Sequence, residues 1–137
     1  MLSLSSEWKR VLRFTIVGCS GVAVNMVILT TLIFAGIPDL ASLAIAIELS
    51  ILNNFVWNDR WTFGEEFHSR KFLNRLGLFQ LVSIGGGIIN WLLYLFFTRI
   101  WGIEFILANL VSIFIVFVWN YLTNKNVTWK KWQPDYT

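Results

Sequence analysis

Four long apolar runs dominate this chain of 137 residues and leave it few ways to fold. They lie at about residues 11–36, 40–57, 76–98 and 105–122. A helix needs roughly 20 apolar residues to cross the hydrocarbon core of a bilayer. With 56% hydrophobic and only 14% charged residues, a soluble domain of this size could not cover its apolar surface. We therefore expect an all-α integral membrane protein, a single membrane domain over residues 1–137 with four transmembrane helices.

The two halves of the chain end on related patterns, NFVWNDRWTF at residues 54–63 and NYLTNKNVTW at residues 120–129. Three residue pairs match at a spacing of 66: Asn54 with Asn120, Asn58 with Asn124, and Thr62 with Thr128. Three more match at a spacing of 65: Phe14 with Phe79, Gly21 with Gly86, and Asn25 with Asn90. Because each half contains two spans, the halves must be oriented alike. We predict two parallel-oriented helical hairpin repeats, at about 10–63 and 75–129, with a cytoplasmic linker at about 58–74.

The distribution of basic residues predicts which side of the membrane the loops face. Ten of the eleven Lys and Arg residues lie in the N-terminal segment, the middle loop and the C-terminal tail, and Arg99 alone lies in a hairpin turn. Short loops rich in Lys and Arg stay in the cytoplasm. We therefore expect a multi-pass protein of the cytoplasmic (inner) membrane with both termini cytoplasmic. The basic stretches are expected to contact anionic membrane lipids and not nucleic acid.

Polar residues at membrane depth are the first candidates for function. Taking Arg13 as the inner edge of the first helix, Asn25 lies ~18 Å deeper, and Asn90 lies at a similar depth in the second half. Glu48, the acidic residue within the spans, lies ~15 Å from the same edge, so a hydrogen bond to Asn25 is expected. A carboxylate there costs a few kcal/mol. Glu48 is either a neutral group bonding a neighbouring helix or a proton-linked or substrate-contacting group.

The repeated asparagines are the second candidates. Each half carries a pair at i,i+4 spacing, so each pair lies on one helix face. These amides could cap the fraying helix end and bond neighbouring helices. They could also hold a phosphate or a sugar hydroxyl, with Arg60 and Lys125 just outside. The glycines at 85–87 leave a similar choice between close helix packing and local unwinding beside a cavity.

Familiar catalytic constellations are absent from the sequence. His68 is the sole histidine and lies in the middle loop, without a Cys or second His nearby to share a metal. No serine–histidine–acid arrangement is evident either. We therefore expect no metal site and no cofactor, and we expect that the chain is not an enzyme.

The segment Asn-Phe-x-x-Asn-x-Arg-Trp-Thr-Phe at 54–63 resembles the GtrA-like family of small four-helix membrane proteins. Arg13-Phe14, Gly18 and the echo at 120–129 support the resemblance, which covers about residues 10–130. It implies a role in cell-surface polysaccharide synthesis, in which family members are thought to move polyprenyl-phosphate-linked sugars beside a polyprenyl-phosphate glycosyltransferase. The positions that match by motif are Asn54, Asn58, Arg60 and Trp61, with Asn120, Asn124 and Lys125 in the second half. Asp59 departs from the family, which commonly has a basic residue there.

The leading hypothesis is a flippase, or a flippase subunit, for a polyprenyl-phosphate-linked sugar. One alternative is a non-transporting anchor or scaffold for a polyprenyl-phosphate glycosyltransferase, and another is a small proton-coupled drug exporter. Four helices enclose little volume, so a homo-oligomer or a partner protein is expected for any route wide enough for a sugar. The candidate residues for binding the lipid phosphate or the sugar are Arg13, Asn25, Glu48, Asn54, Asn58, Arg60, Trp61, Asn90, Asn120, Asn124 and Lys125.

Overall fold

A computed structural model describes residues 4–65 and 70–130. Its four α-helices are α1 Leu4–Phe34, α2 Asp39–Trp57, α3 Phe72–Leu95 and α4 Phe105–Thr123. All four are long and apolar enough to cross a membrane, and no strand occurs in the residues described. The prediction of an all-α multi-pass membrane protein with four spanning helices is therefore confirmed.

Three of the helices, α2, α3 and α4, each continue into a short π-helical segment of their own. These segments are π1 Asn58–Thr62, π2 Phe96–Ile100 and π3 Asn124–Thr128. The wider i→i+5 bonding is visible where Phe63 N donates to Asn58 O and Trp129 N to Asn124 O, both at 2.9 Å. The helices thus run through the repeated motif and do not end before it. The linker predicted at 58–74 is accordingly helical at both ends, in π1 and in the first turn of α3, while His68 lies outside the described residues.

Short turns join the helices of each pair. Gly36 has a φ of 82°, a left-handed conformation that glycine adopts without strain. Ile37 N then donates to Leu32 O at 3.0 Å, which satisfies one of the last carbonyls of α1. Gly102, with a φ of 63°, follows π2 in the same way.

The chain divides into two compact units, Met1–Phe67 and His68–Thr137. The first contains α1, α2 and π1, and the second contains α3, π2, α4 and π3. Small side chains permit close helix contact in each unit. Ser42 and Ala46 in α2, and Ala108 and Ser112 in α4, are all 0% exposed. These positions match at the spacing of 66 with serine and alanine exchanged. The parallel orientation of the two repeats stays a prediction.

Most large apolar side chains lie on the outer surface of their unit. Only 11–22% of the most apolar window of each spanning helix is buried. Leu40 and Leu73 are examples, with exposed fractions of 83% and 74%. Apolar surface of this kind is stable in contact with lipid tails or with another apolar partner.

Candidate functional site

The repeated motif closes one end of each unit in the same way. Thr62 Oγ1 donates to Asn58 Oδ1, and Thr128 Oγ1 donates to Asn124 Oδ1, each at 2.7 Å. Asn58 is 2% exposed and Asn124 is 1% exposed. These two amides therefore bond inside their own helix end, as the capping alternative expects, and they present almost no surface to a head group.

The aromatic residue at the end of each motif packs on the first helix of its unit. Phe63 meets Phe14 edge-on, with ring centroids 6.5 Å apart. Trp129 meets Phe79 in the same manner at 5.5 Å. Aromatic pairs of this geometry stabilise beyond the area they bury. The contacts fix the π-helical segments against α1 and α3.

The first asparagine of each motif packs against a glycine of the neighbouring helix. A Cβ on Gly21 would overlap the side chain of Asn54, and a Cβ on Gly86 would come within 2.5 Å of Asn120 Oδ1. Both glycines are buried. The glycines at 85–87 lie within the continuous helix α3, so the helix is not unwound there. Gly86 packs closely against Asn120, whereas a Cβ on Gly85 or Gly87 would meet nothing within 4 Å.

Polar contacts between the helices differ between the units. In unit one, Ser50 Oγ donates to Gly21 O at 2.9 Å. Asn53 Nδ2 donates to Ser20 Oγ at 3.1 Å and approaches Asn54 Oδ1 at 3.5 Å. The amide of Asn54 is therefore held within a network of side chains. Sequence reasoning missed Ser20, Ser50 and Asn53 because they have no polar counterparts in the second half.

The residues that form this network in unit one have no polar counterparts in unit two. The counterparts of Ser20, Ser50 and Asn53 are Gly85, Val116 and Trp119, none of which offers a suitably placed hydroxyl or amide. Asn120 Oδ1 is buried without a hydrogen-bond partner among the described residues, and so is Asn90 Oδ1. A buried polar atom normally has a hydrogen-bond partner. These two oxygens, one on α3 and one on α4, are therefore exceptions that lack a donor.

An arginine holds the last turn of the motif in each unit. Arg13 Nη1 donates to Trp61 O, and Arg70 Nε donates to Val127 O, both at 3.0 Å. The two carbonyls correspond at the spacing of 66, but the arginines come from different places in the two halves. Arg13 also pairs with Glu65 at 3.3 Å. Binding a phosphate, as predicted for Arg13, would therefore compete with its bonds to Trp61 and Glu65. The role of Arg70 was not identified from the sequence.

Two predicted residues of π1 are open to a ligand. Arg60 is exposed, and Trp61 is 39% exposed while its ring lies 5.7 Å from the Arg13 guanidinium carbon. In π3, Lys125 is half-buried. Arg60 and Trp61 therefore form an exposed cation and indole on a turn whose asparagine and threonine are buried.

The predicted residues at membrane depth occupy different environments. Glu48 lies on the exposed side of α2, and Asn25 is half-buried on α1. Asn90 lines a cavity of about 450 Å³ between α3 and α4. Within residues 4–65 and 70–130, no group of three His, Cys, Asp or Glu could hold a metal ion.

Paired apolar helices that end on an asparagine-rich, partly cationic motif define a class of small multi-pass membrane domains. Residues 13–129 match the family described as GtrA/DPMS, transmembrane domain, and the chain belongs to this family. The resemblance to GtrA-like proteins inferred from the motif at 54–63 is confirmed.

A curated relative extends this result. The chain is 37% identical over 129 residues to a protein of Pyrococcus furiosus named dolichol-phosphate mannosyltransferase. The match covers 94% of this chain and 36% of the relative. The expectation that the chain is not an enzyme is therefore wrong on this comparison, because the relative carries the name of a glycosyltransferase. That expectation was based on the absence of familiar catalytic motifs. The membrane domain of an enzyme need not contain such motifs.

Proposed function

We propose that this chain binds a polyprenyl-phosphate-linked sugar and carries it across the cytoplasmic membrane. The observation that carries the proposal is the exposed Arg60 and Trp61 on π1, a turn whose Asn58 and Thr62 are buried. Membership of the GtrA/DPMS family and the dolichol phosphate in the name of the relative support the same class of lipid.

The chemistry of the lipid phosphate explains this choice of residues. A guanidinium offers a planar set of donors that matches two phosphate oxygens, and it stays charged at any physiological pH. An indole favours the boundary between hydrocarbon and water. Arg60 would therefore bind the phosphate while Trp61 lies beside the first isoprene units. Lys125 adds positive charge in π3, and Arg13 positions Trp61 through its carbonyl.

Three of the remaining predicted residues are assigned to the sugar, and the four asparagines of the repeated motif are assigned structural roles. Asn25 and Asn90 would contact hydroxyl groups at mid-depth, and Glu48 would face the path from the exposed side of α2. Asn54 and Asn120 fix the helix spacing beside them, and Asn58 and Asn124 hold the motif. The broad apolar exterior is where the polyprenyl tail and further copies of the chain would pack, with both termini in the cytoplasm.

Reconstituted vesicles test transport directly. A short-chain polyprenyl-phosphate hexose is placed in both leaflets, and its accessibility to a membrane-impermeant reagent is followed over time. The proposal expects the whole pool to become accessible in vesicles that contain the protein, and only half in vesicles without it. Equal accessibility in the two preparations would end the transport proposal.

A second candidate function is favoured by the relative. This domain would be the membrane-spanning part of a polyprenyl-phosphate glycosyltransferase and would present the lipid phosphate to it. The support is that a protein named as a mannosyltransferase contains a matching region over 36% of its length. Co-expression with a polyprenyl-phosphate glycosyltransferase separates the candidates: faster sugar transfer to the lipid without faster flipping favours this one. No observation supports the drug-exporter alternative, which the family description does not mention.

A further inference from the structure

The carboxylate of Glu65 lies beside a guanidinium that a lipid phosphate would otherwise reach. Arg13 Nη1 lies 3.3 Å from Glu65 Oε1 and donates to Trp61 O at 3.0 Å. The Trp61 ring lies beside the same guanidinium, with its centroid 5.7 Å from the Arg13 guanidinium carbon. Arg13 therefore already has an acid, a carbonyl and an indole of its own unit as partners.

A tight turn after π1 returns the chain to α1. Phe63 is 1% exposed and packs on Phe14 of α1. Gly64 follows it, and a Cβ at this position would overlap the carbonyl oxygen of Arg60. Only glycine fits this close approach, so the backbone can turn directly after the buried Phe63. The place of the Glu65 carboxylate is therefore set by the turn, although this side chain is 84% exposed.

Arg60 is the cation of the motif in unit one that is open to a ligand. It is exposed, and its guanidinium has no hydrogen bond or ion pair to another described residue. The residue before it in π1 is Asp59. The charges of four side chains therefore sum to zero, those of Arg13, Arg60, Asp59 and Glu65. A ligand of this motif meets one open guanidinium and no excess of positive charge.

The acidic residues of this motif are specific to unit one. At the spacing of 66 the counterparts of Asp59 and Glu65 are Lys125 and Lys131. The two motifs nevertheless close alike, with the same bond from threonine to asparagine at 2.7 Å. The π-helical end therefore forms without acidic residues at these positions, and the architecture of the repeat does not account for Asp59 and Glu65.

The charge of a lipid phosphate depends on whether a sugar is attached to it. A sugar makes the phosphate a diester with one negative charge, whereas a monoester carries almost two above its second pKa of about 6. The attraction to one guanidinium grows in proportion to the charge of the ligand, but the cost of removing the phosphate from water grows faster. A carboxylate beside the site adds a repulsion that is twice as large for the monoester. One open guanidinium near Glu65 therefore favours the diester.

We infer that Glu65 is a specificity-determining residue that makes unit one accept a singly charged phosphodiester in preference to a doubly charged phosphomonoester. The inference rests on the proposed function and names the form of the lipid that the Arg60 contact selects, which is the polyprenyl phosphate that carries its sugar. Arg60 binds the phosphate, while Glu65 keeps Arg13 paired and repels a second negative charge.

Equilibrium binding in nanodiscs of neutral lipid tests the inference with two probes, a polyprenyl phosphate and its methyl ester. The methyl ester is a phosphodiester without a sugar, so contacts to sugar hydroxyls do not contribute. At a pH of about 8 the monoester is doubly charged. The natural protein should bind the methyl ester more tightly, by about three-fold. Glu65→Gln should raise the affinity ~3-fold for the methyl ester and ~10-fold for the monoester, because the repulsion energy is proportional to the charge of the ligand. The preference is then lost.

Two further variants separate a local effect of Glu65 from a general effect of charge. Glu7→Gln is the matched control: it removes one negative charge from α1 of the same unit, where Glu7 pairs with Arg10 at 2.8 Å, and it should keep the preference. Glu65→Lys introduces the residue type found at position 131 and should reverse the preference in favour of the monoester.

The outcomes distinguish this inference from the proposed function. The inference is overturned, and the Arg60 site retained, if the natural protein binds the monoester as tightly as the methyl ester or more tightly. A preference that survives Glu65→Gln, or an equal effect of Glu7→Gln, has the same consequence. If neither probe binds the natural protein, the proposed function fails and the inference fails with it.

Discussion

The side chain of Asn54 occupies the space beside Gly21 that any Cβ at that position would need. The same relationship joins Asn120 to Gly86 in the second unit. The two asparagines nevertheless differ in how their side chains are held. Asn53 Nδ2 lies 3.5 Å from Asn54 Oδ1, whereas Asn120 Oδ1 has no partner among the described residues. The repeat therefore conserves the packing of helix on helix but not the polar contacts around it.

Gly21→Ala should lower the free energy of unfolding by roughly 1–3 kcal/mol, because the new methyl group must displace a bonded amide. Gly86→Ala should cost less, since Asn120 can shift without breaking a bond. Gly18→Ala is the control, with open space around its Cβ and a gain in helix propensity. Unfolding in mixed micelles measures all three. A loss for Gly18→Ala as large as that for Gly21→Ala would contradict the packing argument.

Thr62→Val and Thr128→Val should each destabilise the protein by about 1–3 kcal/mol, because a buried asparagine oxygen loses its donor. The control is Thr15→Val, since the Thr15 hydroxyl is exposed and bonds only the carbonyl of Val11 in its own helix. Asn58→Leu combined with Thr62→Val should recover part of the loss, because both polar partners are then gone. The same unfolding measurement applies. A neutral Thr62→Val would show that the bond does not stabilise π1.

Arg13→Gln should reduce stability by about 1 kcal/mol through the lost bond to Trp61 O, since this contact is partly exposed. Glu65→Gln should have little effect, because the Glu65 side chain is 84% exposed and exposed ion pairs contribute little. Arg60→Gln should leave stability unchanged. A larger loss of stability for Arg60→Gln than for Arg13→Gln would contradict the structural role assigned to Arg13 and the binding role assigned to Arg60.

Substituted cysteines test the predicted orientation of the repeats. In a Cys19→Ala background, Ala35→Cys and Ile100→Cys place thiols at the two hairpin turns, and Lys71→Cys places one in the middle loop. A membrane-impermeant maleimide added to intact cells should label the two turns and spare the loop. Labelling of only one turn would contradict two hairpins oriented alike.

The helices were predictable because hydropathy alone determines which segments can span a bilayer, and the spacing of the repeat identified Gly21 and Asn54 as notable residues. Their contact was not predictable, because it depends on how two helices cross. The i,i+4 bond between Asn58 and Thr62 is encoded locally, and the recurring Asn-x-x-x-Thr spacing could have revealed it. The π-helical geometry and the arginine bonds to its last turn depend on tertiary contacts, and the periodicity of the sequence does not predict such contacts.

The candidate site was harder to predict than the fold. Sequence reasoning left the asparagines of the repeated motif open between helix capping and ligand binding, and burial removes Asn58 and Asn124 from any binding surface. Tyr94 and Asn109 line the cavity beside Asn90, and the sequence did not indicate this because their proximity depends on how α3 and α4 pack together.

The central claim is that the cationic side chains of the π-helical motifs, the exposed Arg60 and the half-buried Lys125, bind a polyprenyl phosphate. Its most direct test is the affinity of bare polyprenyl phosphate for Arg60→Gln/Lys125→Gln in nanodiscs of neutral lipid, with Lys9→Gln/Lys71→Gln as a charge-matched control. We predict that the site variant, still folded, loses roughly 10-fold or more in affinity, as expected when charge-assisted bonds are removed, while the control binds like the natural protein. Equal affinity in the natural protein and the folded site variant would contradict the claim.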